Sequence, residues 1–120
     1  MKCFEELRVW QDARILIQKI YLLNKSNRDF GFNDQIQRAA ISIMNNIAEG
    51  ADAGSDALFV RYLHIAKASC GEVKSMLYVA EDLTYYTAEE ANDLRNNAKI
   101  ISASIQKLII YLKNQQNNKK

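Results

Sequence analysis

Apolar residues recur at intervals of three and four through four successive stretches of this chain, and none of its 120 residues is proline. Together these facts constrain the fold more than any motif. A period near 3.6 puts one side of a helix into a core, and no proline forces the helices to break. The first stretch, from about Glu5 to Asn24, carries Val9, Trp10, Ala13, Leu16, Ile17, Ile20 and Leu23 on one stripe. After the turn-rich NKSNRDFGFN, Asn33 is the expected N-cap of a second helix that runs to about Ala51 and stops at GADAGS. Ser55 is expected to cap a third helix with the stripe Phe59, Tyr62, Leu63, Ala66, Cys70, Val73, Leu77 and Ala80. Thr87 and Glu90 form a capping box before a fourth. Its stripe is Ala91, Leu94, Ala98, Ile101, Ile105, Leu108 and Leu112, ahead of a polar tail, NQQNNKK, that is expected to fray.

Four amphipathic helices joined by short breaks, with no strand-like alternation, predict an all-α fold. The expected architecture is an antiparallel up-down-up-down four-helix bundle forming a single domain over residues 1–120. A chain of this length can bury a core without metal or disulfide support. Apolar residues are 48% and charged residues 25%, the balance of a soluble globular protein. No apolar run approaches the ~20 residues of a membrane span, and the first residues do not read as a secretory signal. Cys3 and Cys70 match no metal or redox spacing and read as reduced thiols in a cytoplasmic protein.

The second helix is richer in amides than a surface helix needs. Ile36, Ala40, Ile43 and Ile47 share its core side, and Ile41, Met44 and Ala48 form a second apolar stripe about 110° round. Arg38, Ser42, Asn45 and Glu49 line the side opposite the core, with Asn46 between that line and the core stripe. Helices two and three meet at a turn near Ala53, so residues whose numbers sum to about 108 should lie level in an antiparallel pair. That puts Arg38 near Ser69 and Glu72 and predicts an Arg38–Glu72 ion pair. Ser42, Asn45, Asn46, Glu49 and Ser69 would extend it into a structural polar seam, since amides bond in several directions without the desolvation cost of a charge. Further apolar residues off the main stripes, Ile15, Leu22, Ile100, Ile110 and Tyr111, point to self-association. Ile41 and Met44 are the candidate interface contacts.

No constellation states a reaction. His64 is the one histidine, is expected to face solvent, and has no Glu three residues before it. The ligand pair of di-iron bundles is therefore missing, and no Cys/His spacing suits zinc. No nucleotide loop is present, so no catalytic residue, metal or cofactor is expected. Net charge is only +2. A candidate nucleic-acid face nonetheless runs along helix four through Arg95, Lys99 and Lys113, with Lys119 and Lys120 beyond it; Arg8, Arg14, Lys19 and Lys25 decorate helix one. Glu5, Glu6, Glu89, Glu90 and Asp93 dilute that charge.

The pattern F-x-x-L-x-V-W at Phe4, Leu7, Val9 and Trp10, and the segment S-I-x-x-N-I-A-E-G at Ser42–Gly50, carry a family resemblance. Gln35, Arg38 and Ala39 lead into that segment, and Phe59, Leu63, Ile65, Ala66, Ser69 and Glu72 continue the match. Nearly the whole chain resembles the bacterial four-helix-bundle proteins encoded by intervening sequences within 23S ribosomal RNA genes. The resemblance implies a left-handed bundle assembled as a homo-oligomeric ring, a pentamer, without a defined biochemical role. Proteins of similar shape, the accessory proteins of diversity-generating retroelements, contact nucleic acid and a reverse transcriptase through a basic outer surface. Met44 stands where the family often has proline, which predicts a straighter second helix. Ala51-Asp52-Ala53 stands where it often has arginine, which removes basic charge from that turn. The expectation is a non-enzymatic, RNA-associated homo-oligomer. The alternative is a protein–protein scaffold or adaptor without nucleic-acid contact.

Overall fold

The computed structural model describes residues 3–118. A short 3-10 turn, Phe4–Glu6, precedes four α-helices: α1 (Arg8–Asn24), α2 (Phe30–Ala51), α3 (Asp56–Asp82) and α4 (Ala88–Asn118). No strand occurs among the described residues. The body is 52 × 20 × 19 Å, and its long dimension follows α4, whose 31 residues span roughly 46 Å at 1.5 Å each.

Three of the four helix starts are explained by local capping, with one correction. The Asp29 carboxylate accepts from the Phe32 amide at 3.1 Å and caps α2, so the helix begins a turn earlier than an Asn33 cap would allow. Ser55 Oγ accepts from the Leu58 amide at 3.2 Å. Thr87 and Glu90 close the expected box in both directions, at 2.8 and 3.0 Å. The α2–α3 turn passes through Gly54 at φ +90°, where a side chain would be strained.

α1 packs beside α2 and α4, and α3 beside α2 and α4, while among the described residues the backbones of the diagonal pairs stay apart. The helices are thus arranged around the core in chain order, as tight turns dictate. One core joins them, with Leu16, Ile20, Ile36, Ile43, Ile47, Leu63, Leu77 and Ile105 fully buried. Fully buried alanines, among them Ala13, Ala40, Ala66, Ala80 and Ala98, let the helix backbones approach. On α4 the core position is Ile109 rather than the expected Leu108, which is only partly buried. Thirty-one straight residues drift relative to a strict seven-residue repeat, and the drift moves the stripe by one position near the helix end.

Trp10 lies partly buried at the start of α1, edge-on to Phe4 at 5.2 Å, with the Arg14 guanidinium 5.7 Å from its ring centre. No described helix is long and apolar enough to cross a membrane.

Candidate functional site

Of the polar side chains expected to line the α2–α3 contact, the fold brings together Ser42, Asn46 and Ser69. Ser42 Oγ and Ser69 Oγ lie 2.9 Å apart. Asn46 Nδ2 donates to the Ser42 carbonyl at 2.8 Å and to Ser42 Oγ at 3.0 Å. Asn45, Glu49 and Glu72 face solvent and make no hydrogen bond or ion pair among the described residues.

The predicted Arg38–Glu72 pair is not formed. Arg38 Nε bonds Asp34 Oδ2 at 2.9 Å on its own helix, and both side chains are well exposed, at 79% and 64%. The register was close, since Ser42 faces Ser69, but the face was wrong. Asp34, one helical turn back, offers Arg38 a carboxylate without ordering a second helix or dehydrating a charge.

The basic face of α4 also needs correction. Arg95 is folded against α3, with its side chain only 13% exposed and Nη2 2.7 Å from Glu81 Oε1. Its guanidinium carbon sits 4.2 Å from the Tyr78 ring centre. Glu81 Oε1 is buried without a hydrogen-bond partner, so this contact is a charge pair lacking hydrogen-bond alignment. A cation held between a carboxylate and an aromatic face is withdrawn from phosphate. Lys99 and Lys113 remain exposed. Lys119 and Lys120 lie outside the described residues.

Met44, half of the expected oligomer contact, packs against the core of its own bundle, and Ile41 is half-buried.

A polar cluster that sequence reading missed closes the end of the bundle where α1 meets α2 and α3 meets α4. Tyr86, 2% exposed, donates its hydroxyl proton to Asn24 Oδ1 at 2.5 Å, and Asn24 Nδ2 donates to Gln37 Oε1 at 3.0 Å. Asn33 Nδ2 reaches the Asn27 carbonyl at 2.8 Å and the Asn24 carbonyl at 3.4 Å. Beside it the Tyr85 hydroxyl donates to Asp29 Oδ2 at 2.5 Å. That bond, with the Phe32 amide, holds the Asp29 carboxyl below its usual range and raises the Tyr85 phenol. The available signal was position: Asn24 follows Ile20 by one turn, on the core stripe of α1.

Cys70 is fully buried, and desolvation pushes its thiol up to about 12, leaving it protonated and unreactive at neutral pH. His64 faces solvent, and no group of three or more metal-ligating side chains occurs among the described residues. At the end opposite the amide cluster, a cavity of about 480 Å3 opens between α2 and α3, lined by Ala48, Glu49, Asp52, Ala53, Leu58 and Tyr62.

The chain matches no curated protein sequence. Its fold is similar to the crystal structure of a protein of unknown function from the S23 ribosomal protein family of Bacteroides thetaiotaomicron. The TM-score is 0.79 and the identity 26%, over 84% of this chain and 97% of that one. Residues 5–107 match the profile of the 23S rRNA-intervening sequence proteins. By that match, which covers most of its length, the chain belongs to the 23S rRNA-intervening sequence protein family.

Proposed function

We propose that this is a non-enzymatic, cytoplasmic helical-bundle protein that assembles with copies of itself as a closed ring and associates with RNA in that form. The observation that carries the assembly is the apolar surface left along the edge where α1 meets α4. Leu22 is 63% exposed, Ile15, on the same face of α1 two turns earlier, is 47% exposed, and Ile100 of α4 is 60% exposed. Leu22, Leu23 and Leu94 line a cavity of about 210 Å3 in that edge, with Lys19, Glu90 and Asp93 beside them. A solvated helix pair has no reason to keep large aliphatic side chains clustered there. A ring would bury them and repeat Lys99 and Lys113 around its rim. The two free thiols suit a reducing compartment.

Sedimentation at micromolar concentration tests the assembly. Multiples of the 13.7 kDa protomer are expected, dissociating in Leu22→Asp; a monomer would overturn the reading. Filter retention of RNA tests the second half. Lys99→Glu with Lys113→Glu should lose RNA at low salt, and retention by the parent should fall steeply as salt rises. A scaffold acting on protein partners alone is the second reading, favoured by the withdrawal of Arg95 into its contact with Glu81 and Tyr78. It stands if the parent retains no RNA.

A further inference from the structure

The cavity at the α2–α3 turn combines apolar walls, an anionic polar lining and carboxylates without a partner. Its walls are apolar: Ala48 and Ala53 are too small to fill the space, and Leu58, 42% exposed, and the half-buried Tyr62 stand across from them. Its polar lining is anionic, from Glu49 and Asp52, three residues apart at the C-terminal end of α2. Neither carboxylate has a hydrogen bond or ion pair among the described residues. Asp12, Asp34, Glu81 and Asp93 each hold a cation, and Asp29 and Glu90 accept from a hydroxyl and an amide, whereas Glu49 and Asp52, like the exposed Glu72, are left without a partner.

The position sharpens the case. Glu49 and Asp52 sit in the last turn and at the C-cap of α2, where the helix dipole is negative and the last turn holds no basic residue. Two like charges at that end repel both the dipole and each other, so this sequence breaks a local rule there without an internal compensation. Beside the hollow, α2 and α3 are in close contact. Gly50 lets α3 approach so closely that a Cβ there would lie 2.8 Å from Tyr62 Cβ and 2.9 Å from Phe59 Cδ1.

We propose that this cavity is a docking site for an arginine side chain presented by a partner protein. An arginine has the two halves the cavity asks for. Its aliphatic stem covers Leu58 and the alanines, and its planar guanidinium can bond two carboxylates at once and stack on the Tyr62 ring. Lysine brings the charge without the fork or the plane. RNA brings phosphate, which Glu49 and Asp52 repel. The inference is independent of the RNA reading, and the site lies apart from Lys99.

The test is an NMR titration of the full chain at low salt with the peptide acetyl-Ser-Arg-Ser-Arg-Ser-amide, its lysine counterpart, and a single-stranded RNA oligonucleotide. The arginine peptide should shift the amides of Ala48, Glu49, Asp52, Leu58 and Tyr62, with the lysine peptide binding more weakly. Affinity should drop about tenfold or more in E49Q/D52N, whose exposed positions leave the helical signal unchanged. No shift at these amides, equal binding by the double variant, or the same shifts with RNA would each overturn the proposal. So would dissociation of the sedimenting assembly in E49Q/D52N, which would make a second copy of the chain the occupant.

Discussion

The two ends of this bundle are built on opposite principles. At the end holding the α1–α2 and α3–α4 turns, Asn24, Asn33 and Tyr86 are buried, with Asn24 accepting hydrogen bonds from both of the others, and Tyr85 ties to Asp29 across the turns. At the other end, Gly50 lets α2 and α3 close to contact, yet an unfilled cavity with unpaired carboxylates opens beside it. A buried polar network stabilises only when complete, because each unmet group costs its full desolvation. The first end meets that condition, while the second leaves polar groups at the surface, where they remain available to something else. The difference separates polar groups that the fold itself satisfies from polar groups that it leaves to solvent.

The largest expected effect tests the closed end. Tyr86→Ala empties a fully packed aromatic site and leaves Asn24 Oδ1 unpaired, at a cost of about 3 to 5 kcal/mol. Tyr86→Phe removes only the hydroxyl and should cost about 1 to 3 kcal/mol, because the Asn24 acceptor stays buried. Urea unfolding followed by circular dichroism separates the two. If Phe were neutral, the amide cluster would be packing rather than bonding, and the contrast between the ends would weaken.

Gly50→Ala comes next and probes the close approach. Alanine raises helix propensity by about 1 kcal/mol, but overpacking against Tyr62 and Phe59 costs about 1 to 3. The expected result is a net loss in stability, together with amide shifts in the cavity lining. A stabilised variant would show that α3 can yield there and that the cavity is not held by this contact.

Alkaline titration compares core and surface ionisation. Burial raises the Tyr86 phenol from 10.0 to about 12 and the Cys70 thiol from 9.0 to about 12. Both groups ionise more easily in the unfolded chain, so their contribution to stability is complete below pH 9 and is lost as pH rises from there toward 12. The loss approaches about 1.4 kcal/mol per pH unit for each group once its unfolded form is ionised. Cys70→Ala should remove the part that begins near pH 9 and leave the later part. An unchanged slope would mean the thiol is not buried in solution.

The smallest effect is the most direct check on the α2–α3 contact. Glu72→Ala should leave the melting temperature where it is, because Glu72 is exposed and Arg38 is committed to Asp34. A clear loss would restore the interhelical pair that the fold does not form.

What the sequence determined by itself is what depends on neighbours within a few positions. The stripe Ile36, Ala40, Ile43, Ile47, the Ser55 cap and the Thr87–Glu90 box are all relations across three or four residues, and all are present in the structure. Even the register of α2 against α3 was readable, because a short turn ties it to chain position. The choice among polar partners was not. Arg38 had a carboxylate one turn back and another across the interface, and the cheaper local pair prevailed. Arg95 looked like an outward cation on a helical wheel, but its long stem let it fold onto Tyr78 and Glu81, 17 and 14 residues earlier in the chain. Tyr86 meets Asn24 across 62 residues, a distance no local pattern spans. Backbone periodicity assigns a side chain to a face of its helix. Which groups then meet is decided by the packing of four helices at once, because rotatable side chains take whichever partner satisfies charge at the least loss of hydration.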